Sequence, residues 1–464
     1  MISLPGLNLA APPTEALTAP ASSITREQEL PANTEYRFEV GFSRTLTVRL
    51  RSGTAEYFGT ELAPSTTYSF QGTKGAIYTW HGCKLELGGE VESDYVAEET
   101  PMTSHANLHF ALEMLRDKSV ASNSVEMGPR VLVVGAENAG KTALVKTLTS
   151  YAVKSGRQPM VINLDPRQGM LSVPGSFSAA AFSSIVDIEE GWGSSPISGP
   201  SPIPVKMPLV YHYGLKDPEE GKLFKPLVTR MALAVTSRLE EDKASRQAGF
   251  IIDTSGSISG GKGGVYDNIE HIVSEFSVNI LITLGSERLY SDLTKRFSAR
   301  PGEDPVSVLR IDKSGGCVDR AESWMQAYRH AQIRAYFFGA GEDALAPSSM
   351  TADYADLNIF RIVEGDDTAF KAGDYDPMAA GGRDLYERVA PSAELTNKLL
   401  AITTASPNDR HEVIRDSSVR GYIYVADVDE AKRKVRLLSP QPGHLPGSAM
   451  VLGTWPEDVA GLVS

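Results

Sequence analysis

An eight-residue glycine-rich segment carries the clearest chemistry in this sequence. It fits the pattern G-x-x-x-x-G-K-[ST], follows an apolar run at 131–134 and opens a stretch with helical apolar spacing. Glycines let the backbone turn its amides toward a phosphate, the lysine neutralises β- and γ-phosphate charge, and the threonine hydroxyl can bind Mg²⁺. The pattern therefore predicts a P-loop that binds a nucleotide. Its residues are Gly135, Ala136, Glu137, Asn138, Ala139, Gly140, Lys141 and Thr142.

Two aspartates are candidate metal or proton-transfer groups because each ends a short apolar run. Asp165 follows residues 160–164, and Asp253 follows residues 250–252. In an open α/β sheet the carboxyl ends of the strands line the ligand crevice. Either carboxylate can hold Mg²⁺, directly or through water, or accept a proton from an attacking hydroxyl. The alternative for each is a carboxylate that caps a helix or a turn.

The spacing of the apolar runs indicates the fold that positions these groups. Runs at 131–134, 160–164, 250–252 and 278–284 are separated by helix-length segments. Continuous apolar strands of this kind are typical of a parallel sheet that helices cover on both faces. We therefore expect an α/β protein whose central P-loop ATP-binding domain spans residues 129–338.

Other units are expected on both sides of that domain. Residues 26–105 hold short period-2 runs punctuated by turn residues, which predicts an N-terminal antiparallel β-sandwich. Residues 106–128 are expected to form a linker helix, and residues 339–464 a small α+β domain. Residues 1–25, rich in Ala, Pro, Thr and Leu without a period, are interpreted as a mobile tail.

The amino-acid composition excludes several classes of protein. The 464 residues include 45 Lys+Arg and 58 Asp+Glu, a net charge of −13, which excludes a protein that binds nucleic acid through its bulk charge. Cys83 and Cys317 are too few for a disulfide framework or a cysteine zinc site. No apolar run reaches the length of a membrane span and the N-terminus is unlike a secretory signal, so we expect an intracellular protein without membrane contact.

Motifs along most of the chain together resemble one known family. The chain is similar, over about residues 30–452, to fungal Clp-type mRNA cleavage and polyadenylation factors of the polynucleotide 5′-hydroxyl-kinase family. The motifs, in chain order, are T-E-Y-R-F-E-V (34–40), F-G-T-E-L (58–62), T-W-H-G-C (79–83), G-P-R (128–130), Y-A-V (151–153), S-V-P-G (172–175), K-S-G-G (313–316), R-A-Y-F-F-G (334–339) and L-S-P (438–440).

The resemblance implies that the N-terminal domain caps a bound ATP. It assigns nucleotide contacts to Glu35 and Lys74, and extends the phosphate loop to Ala143. Without it, Glu35 is a solvated strand residue and Lys74 a turn lysine. It also implies a nuclear protein whose partners are the large cleavage-factor subunit that contacts the RNA polymerase II tail and other subunits of the cleavage and polyadenylation factors. RNA contact is expected to be indirect.

Departures from the family pattern concern catalysis. In active members, by resemblance, Asp165 matches the base for the RNA 5′-hydroxyl and Arg320 matches the first lid arginine. The second lid arginine falls at Met325, and the tryptophan that clamps the RNA end falls at Ser257. A missing arginine finger can cost about 10³–10⁵ in rate. The resemblance therefore implies a member with weak or absent phosphoryl transfer.

Three functions remain as hypotheses. The first is an ATP- and Mg²⁺-binding scaffold subunit without efficient turnover. The second is an active RNA 5′-hydroxyl kinase that retains Lys141, Thr142, Asp165 and Arg320. The third is a GTPase-like switch, because residues 253–256 fit D-x-x-G, although no N-K-x-D guanine reader follows the run that ends at 284.

Overall fold

The protein is described by a computed structural model in which three units follow one another along the chain. The tail was predicted to span residues 1–25, and residues 1–24 of it lie outside the described ranges. The described residues are 25–192, 208–218, 223–261, 265–298, 305–339, 345–363 and 385–462.

The N-terminal unit is a β-sandwich, as predicted. One sheet has the order β1-β8-β3-β6 and the other β5-β4-β7-β2-β9, with antiparallel neighbours throughout. Alternate residues, such as Leu46 and Val48 of β3, point into the core between the sheets. The strands are β1 (Arg26–Leu30), β2 (Thr34–Val40), β3 (Leu46–Gly53), β4 (Glu56–Tyr57), β5 (Thr60–Glu61), β6 (Thr67–Phe70), β7 (Thr73–Thr79), β8 (Cys83–Gly89) and β9 (Ser93–Ala97).

A 20-residue helix, α1 (Met102–Ala121), connects the sandwich to the central unit. It begins four residues before the predicted range 106–128, directly after Pro101, whose fixed φ suits a helix start. The chain leaves the helix where Asn123 and Ser124 adopt φ of 52° and 67°, left-handed values that stop helical hydrogen bonding.

The central unit contains the seven-stranded sheet β13-β12-β11-β14-β10-β15-β16. The last five in this order are parallel. Four of them fall on the predicted apolar runs, and the edge strand β16 was not predicted. β12 and β13 extend the sheet antiparallel at the other edge. The strands are β10 (Arg130–Gly135), β11 (Met160–Leu164), β12 (Ser176–Ala181), β13 (Leu209–His212), β14 (Phe250–Thr254), β15 (Ile280–Leu284) and β16 (Ser307–Ile311).

Helices cover both faces of this sheet. Leu144 and Leu148 of α2 pack on one face with Leu108 and Leu112 of α1, while the other face packs against helices that follow β13. Burial on both faces accounts for the continuous apolar strands in the sequence. The helices are α2 (Lys141–Lys154), α3 (Phe224–Glu241), α4 (Lys243–Ala248), α5 (Asp267–Glu275), α6 (Glu287–Arg296) and α7 (Glu322–Phe338).

The C-terminal unit is a seven-stranded sheet of order β17-β22-β21-β20-β23-β18-β19, and its described helix, α8 (His411–Arg415), is short. It packs against the central unit, where the Tyr336 hydroxyl accepts a 2.9 Å hydrogen bond from the Tyr422 amide. The strands are β17 (Ser348–Asp353), β18 (Ile359–Ile362), β19 (Tyr386–Val389), β20 (Leu399–Thr403), β21 (Val419–Asp429), β22 (Lys434–Ser439) and β23 (Met450–Leu452).

Both cysteines are free thiols, as the composition indicated. Cys83 is buried in the sandwich, and Cys317 is half-buried in the central unit. Within the described ranges, no helix combines the length and the apolar character needed to cross a bilayer.

Candidate functional site

A cleft of about 1570 Å³ lies between the sandwich and the central unit. It exceeds the roughly 300–1,000 Å³ of ordinary small-molecule pockets, so a nucleotide fits. Gly135, Ala136, Asp253 and Ser257 do not line the cleft. The other sequence-predicted residues do: Glu35, Lys74, Glu137, Asn138, Ala139, Gly140, Lys141, Thr142, Ala143, Asp165, Arg320 and Met325.

The phosphate loop joins the end of β10, which lies between β14 and β15, to the start of α2. Gly140 has φ of +93°, and a Cβ there would lie 2.7 Å from Sγ of Cys317, so both conformation and space require glycine. Asn138 is also left-handed, at φ of 54°, which asparagine tolerates better than most residues. The loop therefore has the strand–loop–helix form in which backbone amides and a helix N-terminus face an anion.

Lys141 is folded back on its own loop. Its Nζ donates hydrogen bonds to the carbonyl oxygens of Gly135 (3.0 Å) and Ala136 (2.8 Å), and the residue is only 7% exposed. Burial lowers the pKa of the ammonium group, while the nearby carboxylates of Asp253 and Asp165 oppose that shift. An anionic phosphate would favour the charged form in the same way, so the side chain is well placed to exchange carbonyl contacts for phosphate oxygens.

Thr142 and Asp253 form the candidate metal position. The Thr142 hydroxyl donates a 2.5 Å hydrogen bond to Oδ2 of Asp253, whose Oδ1 accepts from the Thr254 amide at 3.0 Å. Burial raises the pKa of Asp253 to about 6, with Lys141 acting in the opposite direction. Since the described residues hold no group of three or more His, Cys, Asp or Glu arranged to bind a metal, Mg²⁺ here would take further ligands from phosphate and water.

Asp165 combines the two alternatives that the sequence left open. It lines the cleft, yet its Oδ1 accepts the Arg167 amide at 3.0 Å and its Oδ2 accepts Nε2 of Gln168 at 3.1 Å, as in a turn-capping carboxylate. Burial raises its pKa, and Lys141 is the largest opposing influence.

Arg320 reaches the phosphate loop from the segment before α7. Its Nε donates to Oδ1 of Asn138 at 2.9 Å and its Nη1 to Oε1 of Gln168 at 3.1 Å. Both of these partners are neutral, so the guanidinium charge is available to a phosphate. Arg329, one turn after Met325, is instead bound to Glu457 at 2.9 and 3.0 Å.

The sandwich presents Glu35 and Lys74 to the cleft. Glu35 is buried rather than solvated, and its Oε1 and Oε2 accept hydrogen bonds from Nε of Arg37 (2.5 Å) and the Thr100 hydroxyl (2.9 Å). Lys74 lies within β7 rather than in a turn, where it pairs with Glu39.

Among the cleft residues that were not found from the sequence, three contact predicted site residues. Arg37 shares a strand face with Glu35 because the two are two positions apart in β2, and this spacing was the available signal. Gln168 lies in the turn after β11, three residues beyond Asp165. Trp324 lies 5.6 Å from Nζ of Lys74, measured to its ring centroid, and no local pattern indicated that contact.

Comparisons with known proteins identify the family along nearly the whole chain. The N-terminal beta-sandwich domain of polyadenylation factor matches residues 29–119. The mRNA cleavage and polyadenylation factor CLP1 P-loop matches residues 135–339. Pre-mRNA cleavage complex II protein Clp1 matches residues 345–457. The three matched regions coincide with the sandwich and α1, the central unit and the C-terminal sheet.

Relatives that match over the whole length of the chain indicate the same family. The mRNA cleavage and polyadenylation factor CLP1 of Phaeosphaeria nodorum is 75% identical over 467 residues, covering 100% of both chains. That of Botryotinia fuckeliana is 50% identical, covering 98% of each. A solved Clp1p–Pcf11p complex is similar at 31% identity and a TM-score of 0.82, covering 93% of this chain and 98% of that one. A second structure, of an extended Pcf11p–Clp1p interface and of ATP loss in a point mutant, matches at 31% identity and 0.84, covering 94% and 99%. This chain therefore belongs to the Clp1 family of mRNA cleavage and polyadenylation factors.

Proposed function

We propose that this chain is a scaffold subunit of the pre-mRNA 3′-end cleavage and polyadenylation machinery that holds ATP and Mg²⁺ without efficient turnover. The observation that carries the proposal is the cleft itself, whose lining combines phosphate-loop residues 137–142 of the central unit with Glu35 and Lys74 of the sandwich. A ligand that touches both walls stabilises their closed arrangement, because it binds that arrangement and not the separated units.

Each wall has a role in this proposal. The loop amides from Asn138 to Ala143 and the Lys141 ammonium bind the β- and γ-phosphates, while Glu35 and Lys74 contact the nucleotide from the sandwich. Thr142 supplies the direct Mg²⁺ ligand, and Asp253 and Asp165 hold metal-bound water. ATP with Mg²⁺ supplies the phosphate charge that these residues are arranged to neutralise.

The proposed lack of turnover rests on groups that transfer would need. Ser257 and Met325 stand where the resemblance implies an RNA-clamping tryptophan and a second lid arginine. Arg329, the next arginine along α7, cannot replace the lid arginine while it is paired with Glu457. Base stacking is worth about 1–3 kcal/mol, and an arginine finger about 10³–10⁵ in rate.

The proposed partner is a large cleavage-factor subunit of the Pcf11 type, because the similar Clp1p structures are described as complexes with Pcf11p. At 100 times its Kd, a bound nucleotide would stabilise the closed form by about 2.7 kcal/mol, which would hold a partner-binding surface in shape. We place this function in the nucleus, where pre-mRNA is processed, alongside other cleavage and polyadenylation subunits. The net charge of −13 favours indirect RNA contact.

An active RNA 5′-hydroxyl kinase is the alternative, favoured by the presence of Asp165 and Arg320 in the same cleft as Lys141.

Two measurements on protein purified without added nucleotide separate these functions. Denaturation should release ATP and Mg²⁺; release of GTP or GDP would instead favour a GTPase-like switch. Incubation with γ-labelled ATP and a 5′-hydroxyl oligoribonucleotide should transfer little label. Robust transfer that is lost in Lys141→Ala would overturn the scaffold function in favour of the kinase.

A further inference from the structure

The segment between β16 and α7, residues 312–321, is packed against the phosphate loop. Sγ of Cys317 lies 2.7 Å from the position that a Cβ on Gly140 would occupy. Three residues later, Arg320 donates its 2.9 Å hydrogen bond to Asn138. The segment therefore contacts the phosphate loop at Asn138 and Gly140, and any group that moves the segment moves these two contacts.

The same segment contacts the sandwich through two glycines. A Cβ on Gly316 would lie 2.7 Å from Nε of Arg37, and a Cβ on Gly315 would lie 2.7 Å from Oε2 of Glu99. The Ser314 hydroxyl accepts a long hydrogen bond of 3.5 Å from Nη2 of Arg37 and one of 3.1 Å from the Gly316 amide. Backbone here lies directly on a charged side chain, an approach that any larger residue would block.

Arg37 is held firmly enough to act as a support. Its side chain is 9% exposed, and Nη2 donates to the carbonyl oxygen and Oε2 of Glu99 at 2.6 and 2.9 Å. Its Nε donates to Glu35 at 2.5 Å, and its guanidinium lies 5.7 Å from the ring centroid of Tyr95. Two carboxylates around one buried guanidinium leave it charged and fixed in direction.

A purely local role within the sandwich would explain the contacts of Arg37 with Glu35, Tyr95 and Glu99. It would not explain why Gly315 and Gly316 of another unit approach the same side chain. The contacts of Arg37 thus form one continuous path from a proposed nucleotide contact, Glu35, to the phosphate loop.

We propose that Arg37 is a positioning residue that keeps segment 312–321 on the phosphate loop, and that its contact with Gly316 controls how long a nucleoside triphosphate stays in the cleft. This inference rests on the proposed nucleotide binding. Arg37 acts through Glu35 and through the segment, so its substitution changes the dissociation rate of the nucleotide by moving other groups.

The test compares two glycine-to-alanine variants of the full chain. Gly316→Ala adds a methyl group against Arg37, whereas a Cβ on Gly443 has no neighbour within 4 Å. We expect Gly316→Ala to raise the dissociation rate of a fluorescent ATP analogue about tenfold, the effect of losing one charge-assisted hydrogen bond, and to speed amide hydrogen exchange in residues 312–321. Gly443→Ala should change neither.

A double-mutant cycle adds a measurement that a general loss of packing would not reproduce. In an Arg37→Ala background the methyl group of Gly316→Ala no longer meets a guanidinium, so the second substitution should add little to the dissociation rate. Additive effects, or a Gly316→Ala protein that matches Gly443→Ala in both dissociation and exchange, would overturn the positioning role and leave nucleotide binding intact. A wild-type protein that binds no nucleotide would overturn the proposed function and this inference together.

Discussion

The hydroxyl of Thr142 donates a 2.5 Å hydrogen bond to Oδ2 of Asp253, which joins the first turn of α2 to the carboxyl end of β14. The carboxylate is 1% exposed, so it has little water to stabilise its charge. A divalent cation between these two groups would supply the missing charge compensation. The protein without nucleotide therefore has an electrostatic cost at this place that Mg²⁺ would relieve.

Asp253→Asn should stabilise the nucleotide-free protein at pH 7. Burial raises the pKa of Asp253 to about 6 from an ordinary 3.8, so between these values the folded protein binds more protons than the unfolded chain. The free energy of unfolding consequently falls as pH rises through this window, by about 3 kcal/mol in total. Thermal unfolding from pH 4 to 7 should show a flatter profile for Asp253→Asn, and Mg²⁺-ATP should stabilise this variant less than wild type.

Asp242→Asn is the control, with the opposite sign. Burial acts to raise the pKa of Asp242, but hydrogen bonds from the backbone and hydroxyl of Ser245 outweigh it and hold this pKa below its usual range. Its contribution to stability is present above the unfolded pKa and is lost as pH falls through the folded value. Asp242→Asn should therefore destabilise the protein at pH 7. If Asp253→Asn also destabilises it there without nucleotide, burial is not the dominant effect at Asp253.

Lys141→Ala should weaken ATP binding by about tenfold to a hundredfold, because a charge-assisted hydrogen bond to phosphate contributes about 1.5–3 kcal/mol. Isothermal titration with Mg²⁺-ATP measures the affinity. Lys118→Ala is the control, since Lys118 is on α1 with a largely exposed side chain. Equal affinities in the two variants would contradict a phosphate role for Lys141.

The sequence was enough to predict the phosphate loop, the sandwich and four of the five parallel strands, because these depend on short-range patterns that match a hydrophobic period. It did not predict the edge strand β16, none of whose residues is fully buried. It did not predict β12 and β13, whose antiparallel pairing depends on partners distant in the chain. At the site, the loop and Asp165 followed from local pattern. The pairing of Arg329 with Glu457 could not follow, since it joins residues 128 positions apart and carries no periodic signal.

Arg320→Ala should reduce the affinity for ATP more than that for ADP. Its partners Asn138 and Gln168 are neutral, so its charge can face a γ-phosphate that ADP lacks. We expect the ratio of the two affinities to fall by about tenfold in fluorescence competition titrations. Arg288→Ala is the matched control, because the Arg288 side chain is exposed and its ion pair with Asp292 is long, at 3.8 Å. An equal loss of ATP and ADP affinity in Arg320→Ala would place the guanidinium away from the γ-phosphate.

Neighbouring carboxylates near the C-terminus should differ sharply in their effect on stability. Glu457 pairs with the buried Arg329 of α7, whereas Asp458 pairs with Lys398 at the surface, at 2.8 Å. Glu457→Ala should lower the free energy of unfolding by about 3 kcal/mol, the lower end for breaking a buried pair, since Glu322 still accepts from Arg329. Asp458→Ala should lower it by about 0.2–1 kcal/mol. Urea unfolding followed by fluorescence measures both, and similar values would mean that the Arg329–Glu457 pair does not hold α7 against the C-terminal unit.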